Sequence, residues 1–255
     1  MHLHSKRVCI FVDGENLRHS IGDLFPSFQN RDYLPKNAKW TEFFDWVAEK
    51  AVNTDADRIR TYWYVVENID FIPYNLNSLR RDNDIAMLEK ILSRSERIKN
   101  SFRLAITPDK KIEIMNKEVG FLINNQSEME KRFSGWINLQ SIIEARNNSI
   151  EFRRAGSIKY DLLERKLGKE KAVDVKLATD LLQLKDIYDV AVILSGDQDY
   201  TPAVEAIKDF GKRTVNVSFL TENGKLLPGG AKRLNQTTDW SIEIQHSDLK
   251  NHLGF

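Results

Sequence analysis

Apolar positions along the chain follow two spacings, which predict strands that alternate with helices. Strands are predicted at Arg7–Val12, Arg58–Val66, Asp189–Leu194 and Arg213–Phe219. Helices are predicted at Glu15–Leu24, Trp40–Val52, Val173–Leu184 and from Thr201 to just before Gly211. The first and third strands are continuous apolar runs, which is typical of strands buried on both faces of a parallel sheet. The succession predicts right-handed βαβ units and a three-layer α/β fold around a mostly parallel sheet.

The pattern is less regular in the middle of the chain. Helices are predicted within residues 77–100 and 136–145, a hairpin within 102–123 and a short strand at 151–154. No linker rich in Pro, Gly or Ser flanks residues 76–150, so we expect a mainly helical insertion there. The predicted organisation is a domain at 1–222 that contains this insertion. A tail at 223–255 is expected to pack on the domain through Leu234 and Trp240.

The composition is that of an ordinary globular protein of 255 residues, with 41% hydrophobic and 29% charged residues. No apolar run approaches the roughly 18 residues that a membrane-spanning helix needs. The first residues lack the apolar core and cleavage site of a secretory signal. Cys9 is the single cysteine, which excludes an intrachain disulfide and a multi-cysteine zinc site. We therefore expect a cytoplasmic protein without a membrane partner; its oligomeric state is left open.

Charge is unevenly distributed although the net charge is only +1. Residues 76–160 contain 16 Lys/Arg against 11 Asp/Glu, and the remainder is mildly acidic. A basic segment beside an acidic centre is compatible with a phosphate-attracting surface next to a metal site. A solvated charged insertion without a ligand explains the same distribution.

Acidic residues follow the predicted strands at the ends where ligands bind in open parallel sheets. Asp13 follows the first strand, Asp197 and Asp199 follow the third, and Asp174 begins a helix. Carboxylates gathered at one edge repel each other, and a hard divalent cation such as Mg²⁺ or Mn²⁺ relieves that repulsion.

Each acid also has an explanation that involves no metal. Asp174 and Asp199 suit the N-cap position of the helices beside them, and Asp13 before Gly14 suits a turn. Their joint placement at one sheet edge is what favours a shared site.

Three blocks of sequence resemble the NYN domain family of the PIN-like nuclease superfamily, which includes the bacterial LabA-like proteins. The blocks are VDGEN at Val12–Asn16, VDVKLATD at Val173–Asp180 and SGDQDYTPAVE at Ser195–Glu205. They occur in the family's order, with the expected strand or helix beside each. The resemblance covers about residues 7–75 and 150–220, continues less clearly to 243, and leaves 76–150 unmatched.

The resemblance implies a PIN-like, Rossmann-type fold and a Mg²⁺- or Mn²⁺-dependent ribonuclease that acts on RNA, for which we expect single strands. By position, Asp13, Asp174 and Asp197 correspond to the family's metal-binding acids, and Asp199 commonly completes the set. These four residues are the expected catalytic residues. The expected substrate-binding residues are Asn16, Lys176, Ser195, Arg80 and Arg81. Asn16 would orient a carboxylate or a phosphate, and Ser195 would support the loop.

Two other functions remain open. A haloacid-dehalogenase-type phosphatase also carries acids at strand ends, but it needs a second Asp two residues after the nucleophile, where this chain has Glu15. A non-catalytic RNA- or protein-binding adaptor on the same fold has no need for four acids at one edge. The sequence contains no HExxH, GxxxxGK[ST] or strand-following GxGxxG motif, which argues against zinc proteases, P-loop enzymes and dinucleotide-binding enzymes.

Overall fold

The computed structural model describes residues 5–26, 34–73, 76–82, 84–147 and 149–254. The strands are β1 (Lys6–Asp13), β2 (Ala56–Ile72), β3 (Ile150–Asp161), β4 (Lys166–Lys171), β5 (Val190–Leu194), β6 (Arg213–Leu220), β7 (Leu226–Leu227) and β8 (Trp240–Gln245). The helices are α1 (Gly14–Leu24), α2 (Trp40–Val52), α3 (Leu76–Arg81), α4 (Ile85–Leu92), α5 (Glu96–Leu104), α6 (Pro108–Arg146), α7 (Val173–Gln183), α8 (Thr201–Asp209), α9 (Ala231–Thr237) and α10 (His246–Leu253). Short 3₁₀ turns occupy Lys185–Ile187 and Gln198–Tyr200.

The chain divides into two compact units, each built from more than one stretch of sequence. The first unit comprises residues 1–67, 136–155 and 172–255, and the second comprises 68–135 and 156–171. The domain limits 1–222, 76–150 and 223–255 stay predictions.

The first unit is built on a mostly parallel sheet with the order β3-β2-β1-β5-β6. β1 runs parallel to both β2 and β5, and β5 runs parallel to β6. At the far side, β8 pairs in parallel with β6, while the short β7 pairs antiparallel with it. Because Val12 is in register with Leu194, the residues that follow β1 and β5 emerge side by side at the carboxyl edge.

Both faces of this sheet are covered, as the continuous apolar strands predict. Val8, Ile10 and Val12 join a core cluster with apolar residues of α1, α2 and α10. Successive side chains of a strand point to opposite faces, so Phe11 lies on the other face, where its ring packs against Tyr62 and Tyr188. Helix α7 contacts β1, and α7 also packs against α8, which contacts β6. The expected three-layer α/β class is confirmed.

The second unit has its own apolar core, which is mainly helical. Buried residues of the four helices meet there: Leu76, Leu88, Leu92, Ile98, Phe102, Met115, Val119 and Leu122. The predicted hairpin within residues 102–123 is wrong, because α5 ends at Leu104 and α6 continues from Pro108. Met115, Val119 and Leu122 are buried at helical spacing, whereas the alternation around Ile112 and Ile114 resembles a strand over only a few residues.

A β-hairpin that the sequence pattern did not reveal also belongs to this unit. The second half of β3 pairs antiparallel with β4 between Ser157–Lys171 and Asp161–Lys166. Only 151–154 was predicted as a strand, because Lys166–Lys171 carries a single large apolar residue. Among the described residues, no helix combines the length and apolarity that crossing a membrane requires.

Gly14 provides a test of the close packing behind the end of β1. A Cβ at this position would lie 2.3 Å from the backbone oxygen of Tyr64 and 2.9 Å from a methyl group of Val65. Backbone cannot yield cheaply, so Gly14→Ala should lower the free energy of unfolding by about 1–3 kcal/mol in urea titrations. Gly120→Ala is the matched control: a Cβ there meets nothing within 4 Å, so the better helix former should be neutral or stabilising. Equal effects of the two substitutions would contradict this account.

Candidate active site

Asp13 ends β1 and is completely buried, with 0% of its surface exposed. It caps α1, because its Oδ1 accepts a hydrogen bond from the backbone N–H of Asn16 at 3.0 Å. Its Oδ2 accepts from the Ser195 hydroxyl at 2.9 Å and from the side-chain amide of Asn16. These donors stabilise a carboxylate that would otherwise be costly to bury. Helix capping is therefore part of what Asp13 does.

Ser195 and Asn16 tie together the segments that follow β1 and β5. The Ser195 hydroxyl donates to Asp13 and accepts from the backbone N–H of Asp197 at 3.0 Å. The Asn16 Oδ1 accepts from the backbone N–H of Gly196 at 3.3 Å. One side chain from each segment thus fixes Asp13 and the Ser195–Asp197 turn relative to each other.

Tyr200 brings a second acid to Asp13. Its hydroxyl donates to Asp174 Oδ1 at 2.9 Å and lies 3.4 Å from Asp13 Oδ2. Since a phenol carries one proton, the shorter bond to Asp174 is the stronger one. The N-cap of α7 is Ala172, so Asp174 is not the capping residue and its carboxylate is available to this contact. Sequence reasoning gave Tyr200 no role; its position three residues after Asp197 was the available signal.

Asp197 directly precedes the 3₁₀ turn that follows β5, and Asp199 lies on that turn. Asp197 is partly exposed, and its Oδ1 accepts from the backbone N–H of Asp199 at 2.9 Å. Asp199 is exposed, and the N-cap of α8 is Tyr200, so Asp199 does not cap that helix. The capping alternatives for Asp174 and Asp199 therefore do not explain these two acids.

Burial and mutual repulsion at this edge disfavour the ionised forms of Asp13 and Asp174. Burial raises the pKa of Asp13 to about 6, and the negative charge of Asp174 adds to this effect. Burial also raises the pKa of Asp174, with further contributions from Asp197 and Asp199. Asp13 and Asp174 are thus easier to protonate because they are buried and have other acids nearby, which is the condition that a bound cation relieves.

The donor chemistry fits Mg²⁺ or Mn²⁺, because the four acids offer only oxygen atoms. Within the part of the chain that the structure describes, however, no three His, Cys, Asp or Glu side chains are grouped closely enough to hold a metal ion. Asp13 already accepts four hydrogen bonds or close contacts from Asn16, Ser195 and Tyr200. The shared metal site at Asp13, Asp174, Asp197 and Asp199 stays a prediction.

The Ser195–Asp197 turn is supported from behind by the segment that precedes α9. A Cβ on Gly196 would lie 2.5 Å from Pro228, and a Cβ on Gly230 would lie 2.2 Å from the backbone oxygen of Gly196. Both positions therefore require glycine. Asn216 of β6 adds a further tie, because its amide donates to the Ser195 carbonyl at 3.2 Å.

Asp180 forms a separate buried cluster, as its position one and two-thirds turns after Asp174 leads one to expect. It is 1% exposed and accepts from Tyr64 at 3.0 Å and from Lys176 at 2.8 Å, and it also forms an ion pair with Arg153. Burial opposes ionisation of Asp180, but the bonds from Lys176 and Arg153 outweigh it and lower its pKa. Glu151 holds the other side of the Arg153 guanidinium at 2.9 Å.

The Asp180 cluster occupies two basic side chains that the sequence analysis had associated with substrate or with the basic segment. Lys176, expected to bind substrate, is an ion-pair partner of Asp180, although its side chain is 41% exposed. Arg153, counted in the basic segment, is held by two acids. Arg80 and Arg81 end α3 in the second unit; both are exposed, and Arg81 lies 3.6 Å from Asp82. Cys9 is buried, and burial raises its pKa to about 12, so it is not a nucleophile.

The chain was compared with protein-family models, curated proteins and solved structures. The NYN domain family matches residues 113–229, which include Asp174, Ser195, Asp197 and Asp199 but not Asp13. A search of curated proteins found no significant match. Among solved structures, the chain resembles a protein of unknown function from Vibrio parahaemolyticus RIMD 2210633, with 14% identity, a TM-score of 0.44 and 96% of each chain covered.

The LabA-like subfamily stays a prediction, because the match is to the NYN domain as a whole. The match over residues 113–229 contains two of the three sequence blocks, and it supports an NYN domain in that part of the chain.

Proposed function

We propose that this protein is a Mg²⁺- or Mn²⁺-dependent ribonuclease, with the cation held by Asp13, Asp174, Asp197 and Asp199. The observation that carries the proposal is the Tyr200 hydroxyl, which contacts the carboxylates of Asp13 and Asp174 together. Ser195 extends the same network from Asp13 to the backbone of Asp197. Acids from three separate segments are thereby joined at the carboxyl edge of one parallel sheet.

The chain's own residues orient this site. Asn16 and Ser195 fix the direction of the Asp13 carboxylate, and Tyr200 fixes that of Asp174. Asp197 and Asp199, being more exposed, face the side from which a substrate arrives. When bound, a divalent cation supplies charge for the scissile phosphate and lowers the pKa of its water.

The proposed substrate is RNA, most simply single-stranded, in keeping with the NYN match. The exposed guanidinium groups of Arg80 and Arg81 are the proposed phosphate contacts of the second unit. Lys176 is available to substrate only to the extent that it leaves Asp180.

A non-catalytic RNA- or protein-binding adaptor is the second candidate. It is favoured by the close protein donors around Asp13 and by the absence of a three-residue metal group among the described residues. The phosphatase alternative has less support, because Arg18 engages both oxygens of Glu15, at 3.0 and 2.6 Å. Glu15 stands where such a phosphatase needs its second Asp, and its carboxylate is already paired with Arg18.

Removing the charge of one acid tests the enzyme directly. Asp174→Asn and Asp197→Asn should lower the rate of cleavage of a labelled single-stranded RNA in Mn²⁺ by at least about 100-fold. Asp209→Asn, at the exposed end of α8, removes the same charge away from the site and should leave the rate unchanged. Cleavage by wild type that persists in EDTA, or equal rates in all variants, would instead support the adaptor.

Tyr200→Phe tests the bridging hydroxyl. Loss of the bond to Asp174 leaves that carboxylate free to turn, so we expect Mn²⁺ affinity to fall about 10- to 100-fold. Cleavage at saturating Mn²⁺ should recover most of the wild-type rate, because the ligands themselves are intact. A Mn²⁺ titration of the activity separates these two effects; an unchanged half-saturating concentration would refute the positioning role.

The pH dependence of stability follows from Asp13. Its pKa is raised to about 6 in the folded chain, against about 4 when unfolded, so it holds its proton longer in the folded state. This contribution to stability is fully present below about pH 4 and is lost as pH rises through 6. Mn²⁺, which needs the ionised acid, should raise the melting temperature more at pH 7.5 than at pH 5. Thermal melts with and without Mn²⁺ measure this, and an equal increase at both pH values would contradict it.

A further inference from the structure

The second unit contains a small cavity that the proposed active site does not use. It has a volume of about 150 Å³ and lies between α6 and the β3–β4 hairpin. Its lining residues are Asn125, Glu128, Met129, Arg132, Tyr160 and Arg165. The first four recur at helical spacing, so α6 presents one face to the cavity while the hairpin closes the other side.

Asn125, which lines this cavity, has an unpaired hydrogen-bond donor. The side chain is 6% exposed, and its Oδ1 accepts from Arg165 Nη2 at 2.9 Å. Because a guanidinium only donates, this bond fixes which end of the amide is oxygen. Asn125 Nδ2 is then a buried donor without a partner among the described residues. An unpaired buried donor is costly, and because this nitrogen is inaccessible as it stands, a small turn of the amide would bring it to a ligand with acceptor atoms and relieve that cost.

Arg165 is held in place before any ligand binds. Its guanidinium stacks over the Phe121 ring at 4.4 Å, while Asn125 fixes Nη2. The stacked plane and the single bond to Asn125 leave other N–H groups of the same guanidinium to engage a ligand. A fixed fork of donors is suited to an oxyanion rather than to a neutral apolar group.

The volume of the cavity and the charges that line it limit the kinds of ligand that it can hold. Arg132 and Arg165 outweigh the one acid, Glu128, in the lining. The volume is below the usual 300–1,000 Å³ of pockets for drug-sized molecules, so a whole nucleoside does not fit. A single tetrahedral oxyanion is small enough for this volume, and each of its oxygen atoms can accept hydrogen bonds.

We propose that this cavity binds a phosphate group, with Asn125 Nδ2 and the Arg165 guanidinium as its donors. Resting on the proposed ribonuclease function, we assign that group to the backbone of the RNA substrate. A phosphate contact of this kind adds affinity and salt dependence without reading the base sequence.

Inorganic phosphate tests the cavity without any RNA. In an NMR titration of the full chain, the side-chain N–H signals of Asn125 and Arg165 should shift with phosphate. Asn125→Asp keeps the shape and can still pair with Arg165, but it replaces the donor by a negative charge. This variant should bind phosphate at least about tenfold more weakly. Arg165→Gln serves as a second variant should the first fail to fold, and it should show the same loss.

RNA binding, measured by fluorescence anisotropy in EDTA, identifies the source of the phosphate. Asn125→Asp should weaken binding of a single-stranded oligonucleotide and flatten its salt dependence. Glu128→Gln should strengthen binding. Arg97→Gln, which changes the charge of the same unit by the same amount at a residue paired with Glu118, should have little effect.

The outcomes separate this proposal from the proposed activity. An absence of cleavage by wild type in Mn²⁺ defeats the ribonuclease but leaves the phosphate and RNA measurements intact. Unchanged phosphate binding in both Asn125→Asp and Arg165→Gln overturns the site. Lost phosphate binding with unchanged RNA affinity overturns the assignment to RNA and indicates a free phosphate ion instead.

Discussion

The candidate site depends on a carboxylate buried at the end of a strand. Asp13 is inaccessible to water, and the cost of burying its carboxylate is offset by donors from Asn16 of α1 and from Ser195 in the turn after β5. Each of those two side chains makes a second contact, Asn16 with Gly196 and Ser195 with Asp197, and Tyr200 links the edge to Asp174. The same bonds that stabilise the fold at this edge therefore set the geometry of the acids.

The first unit contains two groups of buried acids whose pKa values are shifted in opposite directions. Around Asp180, Lys176 and Arg153 balance the carboxylate and lower its pKa, so that cluster is stable without any ligand. Around Asp13 and Asp174, none of the described Lys or Arg side chains is in hydrogen-bond contact, and burial raises the pKa of both acids. Two buried acids with opposite shifts separate a structural ion-pair cluster from the edge that is proposed to bind a cation.

The sequence predicted the parts of the fold where local pattern and burial agree. β1 and β5 are continuous apolar runs buried on both faces, and the residues after them could be placed at one edge by the rule for parallel strands. Residues 102–123 were misassigned because a few alternating positions outweighed a helical spacing that only the whole of α6 makes clear. The roles of Tyr200 and Arg153 depend on long-range contacts, to Asp13 and Asp180, which no local pattern encodes.

The contact between Gly196 and Gly230 has a consequence for how the protein is made. A ribosome synthesises a chain from its N-terminus, so Asp13 emerges before Asp197. The turn that carries Asp197 is backed by Pro228 and Gly230, and β8 pairs beside it only after residue 240 has been added. The acidic edge therefore reaches its final form only after the segment through residue 245 has been synthesised, well after all four acids are part of the chain.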